Sequence, residues 1–149
     1  MASATVLGGR QWVKVLERLA SERKSLSVGI MAGKTNKETG EPIAPYAFYN
    51  EYGTDRIPAR SFMRSTIQEK EGLWAAGATR LLSGNIQESG VVERALNALG
   101  RQMQGDIQAK IASNMPPPNA PETIEKKGPG KNTLIDTSSM INAIEYEVK

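Results

Sequence analysis

Across residues 90–113 one apolar stripe, Val92, Leu96, Leu99, Met103, Ile107 and Ile111, recurs at steps of three or four positions. Strand alternation would scatter these side chains over both faces, whereas a helix gathers them on one. Glu93, Arg94, Arg101, Gln104, Gln108 and Lys110 fill the polar positions between them. The segment therefore reads as a long helix with one face to bury, packed on a sheet. Pro116, Pro117 and Pro118 stop it and open an extended segment.

The remaining elements follow from weaker signals. Residues 11–21 predict a helix with Trp12, Val15 or Leu16, and Leu19 on one face and Lys14, Glu17 and Arg18 on the other. Trp12 reads as a core or interface anchor. Residues 26–32 alternate, with Leu26, Val28 and Ile30 pointing one way, as a half-buried strand does. Residues 33–41 are a polar loop that cannot bury itself, so it is either mobile or ordered by a partner. Residues 45–52 fit a short helix opened by Pro45 and closed by Gly53, with Ala44, Ala47, Phe48 and Tyr52 as its apolar face. Residues 54–60 run extended, since Pro58 restrains Ile57. Ser61 can cap a helix reaching about Leu82, in which Gly72 and Gly77 suit a close contact or a bend. A helical turn spans residues 121–127, ended by Gly128, and a surface loop follows over 128–132. Asp136 or Thr137 caps a last short helix through Met140, and Ile144, Tyr146 and Val148 alternate in a terminal strand. The sum is one α+β domain over residues 1–149: a small mixed sheet of a few strands against two or more long helices, with long polar loops.

Composition narrows the function. The chain has 149 residues, no cysteine and no histidine. That removes disulfides, thiolate and imidazole metal ligands, the cysteine nucleophile and the usual general base near neutral pH. No run is long enough and apolar enough to span a bilayer, and the first residues lack the pattern of a secretory signal. The net charge is +3 and the sequence pI about 9.2, modest for a dedicated nucleic-acid binder.

Candidate chemical motifs weaken on inspection. Gly29 to Gly33-Lys34-Thr35 leaves three intervening residues where a phosphate-binding loop needs four, and a poor helix follows. Glu38 with Glu41, and Glu69 with Glu71, sit in polar, lysine-bearing runs as solvated charges do. No catalytic residue, metal or cofactor is expected. Arg56, Arg60 and Arg64 come at intervals of four around Pro58, and Arg10, Arg18, Arg23 and Lys24 form a second basic region. The arginines suit either pairing with Glu51, Asp55 or Glu69, or contact with an acidic partner or nearby DNA.

Three segments together resemble one family. They are Ala47-Phe48-Tyr49-Asn50-Glu51-Tyr52-Gly53-Thr54, then Arg56-Ile57-Pro58-Ala59-Arg60-Ser61-Phe62-Met63-Arg64, then residues 120–128 with Leu134-Ile135-Asp136-Thr137. Their order resembles the small tail-component family of tailed bacteriophages, the tail completion, head–tail joining and virion morphogenesis proteins related to lambda protein Z. The family pattern is an Asn-Glu-aromatic-Gly-Thr turn followed by Ile-Pro-x-Arg-Pro-Phe-x-Arg, with late Pro-x-Thr-Ile-x-x-Lys-Gly and Leu-Ile-Asp-Thr-Gly segments. Ser61 stands where that pattern has proline, and Ser138 where it has glycine. Ser138 implies a position that does not demand a positive backbone angle.

The resemblance implies a structural, non-enzymatic virion protein, made in the host cytoplasm and placed at the neck. There it would complete the tail and join it to the head as a ring, commonly a hexamer. Its implied partners are copies of itself, a head–tail connector or stopper protein, and a tail terminator or major tail tube protein, with genomic DNA close by and no membrane. On this reading Phe48, Tyr49, Tyr52 and Phe62 are interface aromatics, and Arg56, Arg60 and Arg64 are charged contacts. Gly53 and Pro58 set the turn between them, while Leu134, Asp136 and Met140 position the last helix and strand for contact. The alternatives are a tail terminator capping the tube and a non-specific DNA-binding accessory protein.

Overall fold

The computed structural model describes residues 9–135 and 138–149, without the side chains of Gln11 and Trp12. The expected packing of Trp12 and the expected roles of Asp136 and Thr137 lie outside the described residues. In chain order the elements are α1 (Gly9–Ser21), β1 (Leu26–Ile30), α2 (Ile43–Tyr52), α3 (Phe62–Asn85), α4 (Val91–Ala112), α5 (Pro121–Lys127), α6 (Ser139–Asn142) and β2 (Ile144–Val148). This is the expected small α+β domain. Among the described residues its sheet is a single antiparallel pair of β1 with β2, with Leu26 opposite Val148 and Ile30 opposite Ile144.

The core gathers where α4, the sheet, α2 and α6 meet. Phe62, Ile107, Ile111, Leu134 and Ile144 are fully buried there, with Ile43, Ala47, Met115, Met140 and Ala143 around them. The stripe on α4 is only part of its buried face. Ile107 and Ile111 are inside, but Val92, Leu96, Leu99 and Met103 are half-buried, and Val91, Ala95 and Gly100 are buried instead. The helix is sandwiched between α3 on one side and the sheet on the other, so its covered arc is wider than the stripe. Gly100 sits where the sheet comes closest. A Cβ there would run into the Tyr146 ring and lie 2.9 Å from Leu26 Cδ1.

α3 lies along α4 and is fastened by polar contacts. Trp74 Nε1 donates to Asp106 Oδ2 at 2.7 Å, and Lys110 Nζ reaches Glu69 Oε1 at 2.6 Å. Gly72 and Gly77, expected at a close contact or bend, are not at a close contact: a Cβ at Gly72 meets nothing, and one at Gly77 would touch only Gln102 Oε1 at 3.9 Å. Among the glycines of α3 and α4 the close contact is at Gly100.

Two further expectations change. Loop 33–41 orders itself: Thr35 bridges Pro42, Asn36 N–H donates to Glu41 O at 2.8 Å, and Gly40 N–H donates to Asn36 O at 2.7 Å. Lys34 Nζ then ties the loop to Glu145 on β2 at 2.6 Å. Ser138 does adopt a positive backbone angle, φ 61°, in the left-handed region that glycine fills without strain. On α1, Val15 and Leu19 are half-buried while Val13 and Leu16 are exposed. That helix is held by Arg18, whose guanidinium donates to Ile86 O at 2.6 Å and Gln87 O at 3.1 Å, at the carbonyl end of α3.

These glycines make opposite predictions. Gly100→Ala overpacks the helix–sheet contact and destabilises by about 1–3 kcal/mol. Gly72→Ala faces open space and stabilises by about 0.5–1 kcal/mol. Urea denaturation of the two variants measures both signs.

Candidate functional site

Four hydrogen bonds converge at the joint between α2 and α3, all on Glu51. Periodicity assigns Phe48 and Tyr52 to the apolar face of α2, but the helix sits the other way round. Asn50 and Glu51 are buried, at 2% and 5% exposure, beside Ile43 and Ala47. Tyr46, Phe48, Tyr49 and Tyr52 face solvent, with Phe48 58% exposed.

The reason is that α2 supplies the polar groups its successor requires. Ser61 occupies the cap position of α3 but makes no side-chain cap bond. Glu51 caps α3 instead. Its Oε2 accepts from Met63 N–H at 2.9 Å and its Oε1 from Arg64 N–H at 3.0 Å, so one carboxylate satisfies two of the unpaired donors at the helix start. Arg64 closes the arrangement by donating through Nε to Glu51 Oε1 at 2.9 Å and through Nη2 to Glu51 O at 2.9 Å. A Ser-x-x-Arg start cannot form a capping box, because the third helical residue is a cation and not Glu or Gln. That mismatch is the sequence signal that the cap comes from elsewhere.

The connecting turn is tightly specified. Gly53 has φ 77° and donates to Tyr49 O, and a Cβ there would stand 2.9 Å from Ala59 N. Thr54 Oγ1 accepts from Arg56 N–H and Ile57 N–H, and Thr54 N–H donates to Ile57 O at 2.7 Å. Residues 54–57 therefore form a compact turn and not the expected extended run. Arg60 N–H then returns to Asn50 O at 2.6 Å.

The three arginines separate by environment. Arg56 is exposed on the turn. Arg64 is held by Glu51 and lies over the Tyr52 ring, 4.4 Å from its centroid, with about half its side chain open to solvent. Arg60, expected as a charged contact, is 4% exposed. It donates through Nε to Pro117 O at 2.8 Å and through Nη2 to Pro118 O at 3.2 Å. Burial lowers its pKa from the ordinary arginine value, and the nearby Tyr46 opposes that shift.

Phe62, Leu134 and Met140, also expected at an interface, are core residues with 0%, 1% and 3% exposure. What the structure does bring together at the surface is Phe48, Tyr49, Tyr52 and Arg64. The Phe48 and Tyr52 rings are 4.7 Å apart, and Tyr49 meets Phe48 edge-on at 6.3 Å. Beside them Ile30, Ala44, Ala47, Phe62, Met63 and Ile67 line an apolar groove of about 360 Å³. In the second basic region Arg18 is committed to α3 and Lys24 to Glu93 at 3.3 Å, leaving Arg10 and Arg23 exposed.

Among the described residues no cluster of three metal-ligating side chains occurs, and no helix is long and apolar enough to cross a membrane. Comparison of the chain with protein families, with curated proteins and with solved structures found no match.

Glu51→Ala removes the cap of α3 and leaves Arg64 without its carboxylate, costing about 2–4 kcal/mol. Ser61→Ala changes stability by less than about 0.5 kcal/mol, since its hydroxyl makes no cap bond. Thermal unfolding of the two variants separates the residues.

Proposed function

We propose that this chain is a structural protein of a tailed-bacteriophage neck, completing the tail and joining it to the head by assembling as a ring. The observation that carries the reading is the solvent-facing cluster of Phe48, Tyr49, Tyr52 and Arg64 on a helix whose polar residues are turned inward. Aromatic and arginine side chains grouped beside an apolar groove are the composition of binding hot spots, and a water-facing surface alone gives no reason for it. The ordered resemblance of residues 47–64 and 120–138 to phage tail components supports the placement. Function here is the fitting of surfaces, with Arg56 and the outer part of Arg64 supplying charge at the rim.

In the proposed ring, each subunit repeats one patch against a different patch of its neighbour, and rotation closes the set. The cluster on α2 belongs to one such patch. Leu134 and Met140 act from inside, by holding α6 and β2 in position.

Two measurements test this. The purified chain should run as a closed oligomer by native mass spectrometry, and Phe48→Asp should weaken assembly at least about tenfold while leaving the fold intact, because that ring is exposed. In lysates of the phage lacking the gene, electron microscopy should show tails of normal length detached from filled heads. Tails of uncontrolled length would assign the chain to tube termination instead. Finished particles that lack the protein would remove it from the neck altogether.

A further inference from the structure

Among the described residues no third strand pairs with either side of the sheet, and the hydrogen-bond phase shows which groups lie on its two outer edges. Ser25 and Lys149 exchange both backbone hydrogen bonds, at 2.8 and 3.0 Å. Antiparallel pairs alternate between bonded and non-bonded, so Ser27 with Glu147 and Gly29 with Glu145 are the bonded pairs that follow. Leu26, Val28 and Ile30 therefore turn their N–H and C=O groups outward along β1, as do Ile144, Tyr146 and Val148 along β2. Ile144 is fully buried and its carbonyl is taken by Gln104 Nε2 at 2.8 Å, so the free part of the β2 edge is at Tyr146 and Val148. The other outward groups have no hydrogen-bond partner among the described residues.

The two edges are unlike. The β1 edge runs past Ile30 into the apolar groove, whose rim carries Arg64. The β2 strand carries Glu145 and Glu147 on one face. Glu145 is tied to Lys34 at 2.6 Å, while Glu147, 3.2 Å from Lys149, keeps about half of its side chain open to solvent. A β2 edge beside a β1 edge sets the exposed Glu147 carboxylate toward the rim arginine, so that unlike charges meet. We infer that β2 of one copy adds to the outer edge of β1 in a second copy of this chain, extending the sheet from subunit to subunit, with Glu147 toward Arg64 of the receiving copy. This rests on the ring reading above and gives it a contact: joining unlike edges head to tail is a heterologous interface that rotation can close.

Val148→Pro deletes one outward N–H while sparing the bonded pairs on either side of it, and Val148→Ala trims the side chain but keeps the N–H. By sedimentation, the proline variant should self-associate at least about tenfold more weakly than the wild type, and the alanine variant within about threefold of it. A second readout needs no variant. The Leu26 and Val28 amides of the wild type should exchange rapidly with deuterium when the protein is diluted to monomer and slowly when it is assembled. Wild-type assembly by Val148→Pro, equal weakening by Val148→Ala, or unchanged exchange at Leu26 and Val28 would overturn strand addition and leave the ring standing. A wild-type chain that stays monomeric at every concentration would overturn both.

Discussion

A single carboxylate, that of Glu51, sets the geometry around which the rest is arranged. It terminates the donors at the start of α3, receives the Arg64 guanidinium and sits almost wholly out of water. A buried anion is unfavourable unless its oxygens are filled, and here helix amides and a guanidinium fill them. Because the acceptor lies on α2 and the donors on α3, the two helices have one permitted relation. Gly53 and the Thr54 turn exist to make that relation reachable within a few residues.

The orientation of α2 follows from this. With Asn50 and Glu51 required inside, the aromatic residues of the same helix are left outside, where Phe48 and Tyr52 stack and Arg64 covers the second ring. The surface that supports an assembly role is thus a by-product of the internal cap. Sequence segments 47–54 and 56–64, which carry the resemblance to phage tail components, are also the segments that build this joint. Four of their distinctive residues have a physical duty in it: an acceptor at Glu51, a left-handed turn at Gly53, a clamp at Arg60, a core plug at Phe62.

Much of the scaffold was legible in the sequence. The stripe on α4 predicted a long helix because apolar spacing of three and four has one reading. The bracketing of α5 by Pro121 and Gly128, and the alternation in β1 and β2, held for the same local reasons. What periodicity could not see was burial driven by polar groups. It ranked Phe48 and Tyr52 inside, since it weighs only apolarity; the pairing of an arginine with Glu51 is the Arg64 contact, but the burial of that carboxylate had no signal in the pattern. Arg60 was misplaced because its acceptors, Pro117 and Pro118, are remote in sequence and are backbone carbonyls, which leave no trace in residue type. Gly100 was passed over because a glycine in a helix looks like a defect until the Tyr146 ring lying against it is known.

The Arg60 clamp has a mechanical consequence. Its guanidinium grips the proline segment that leaves α4, while its own backbone N–H is anchored on Asn50 at the end of α2. A pull on the stretch after α4 is therefore transmitted through a stiff guanidinium plane to the aromatic helix, without first unravelling the intervening chain. Strain applied at the proline segment would turn the aromatic helix directly, as a crank turns its shaft.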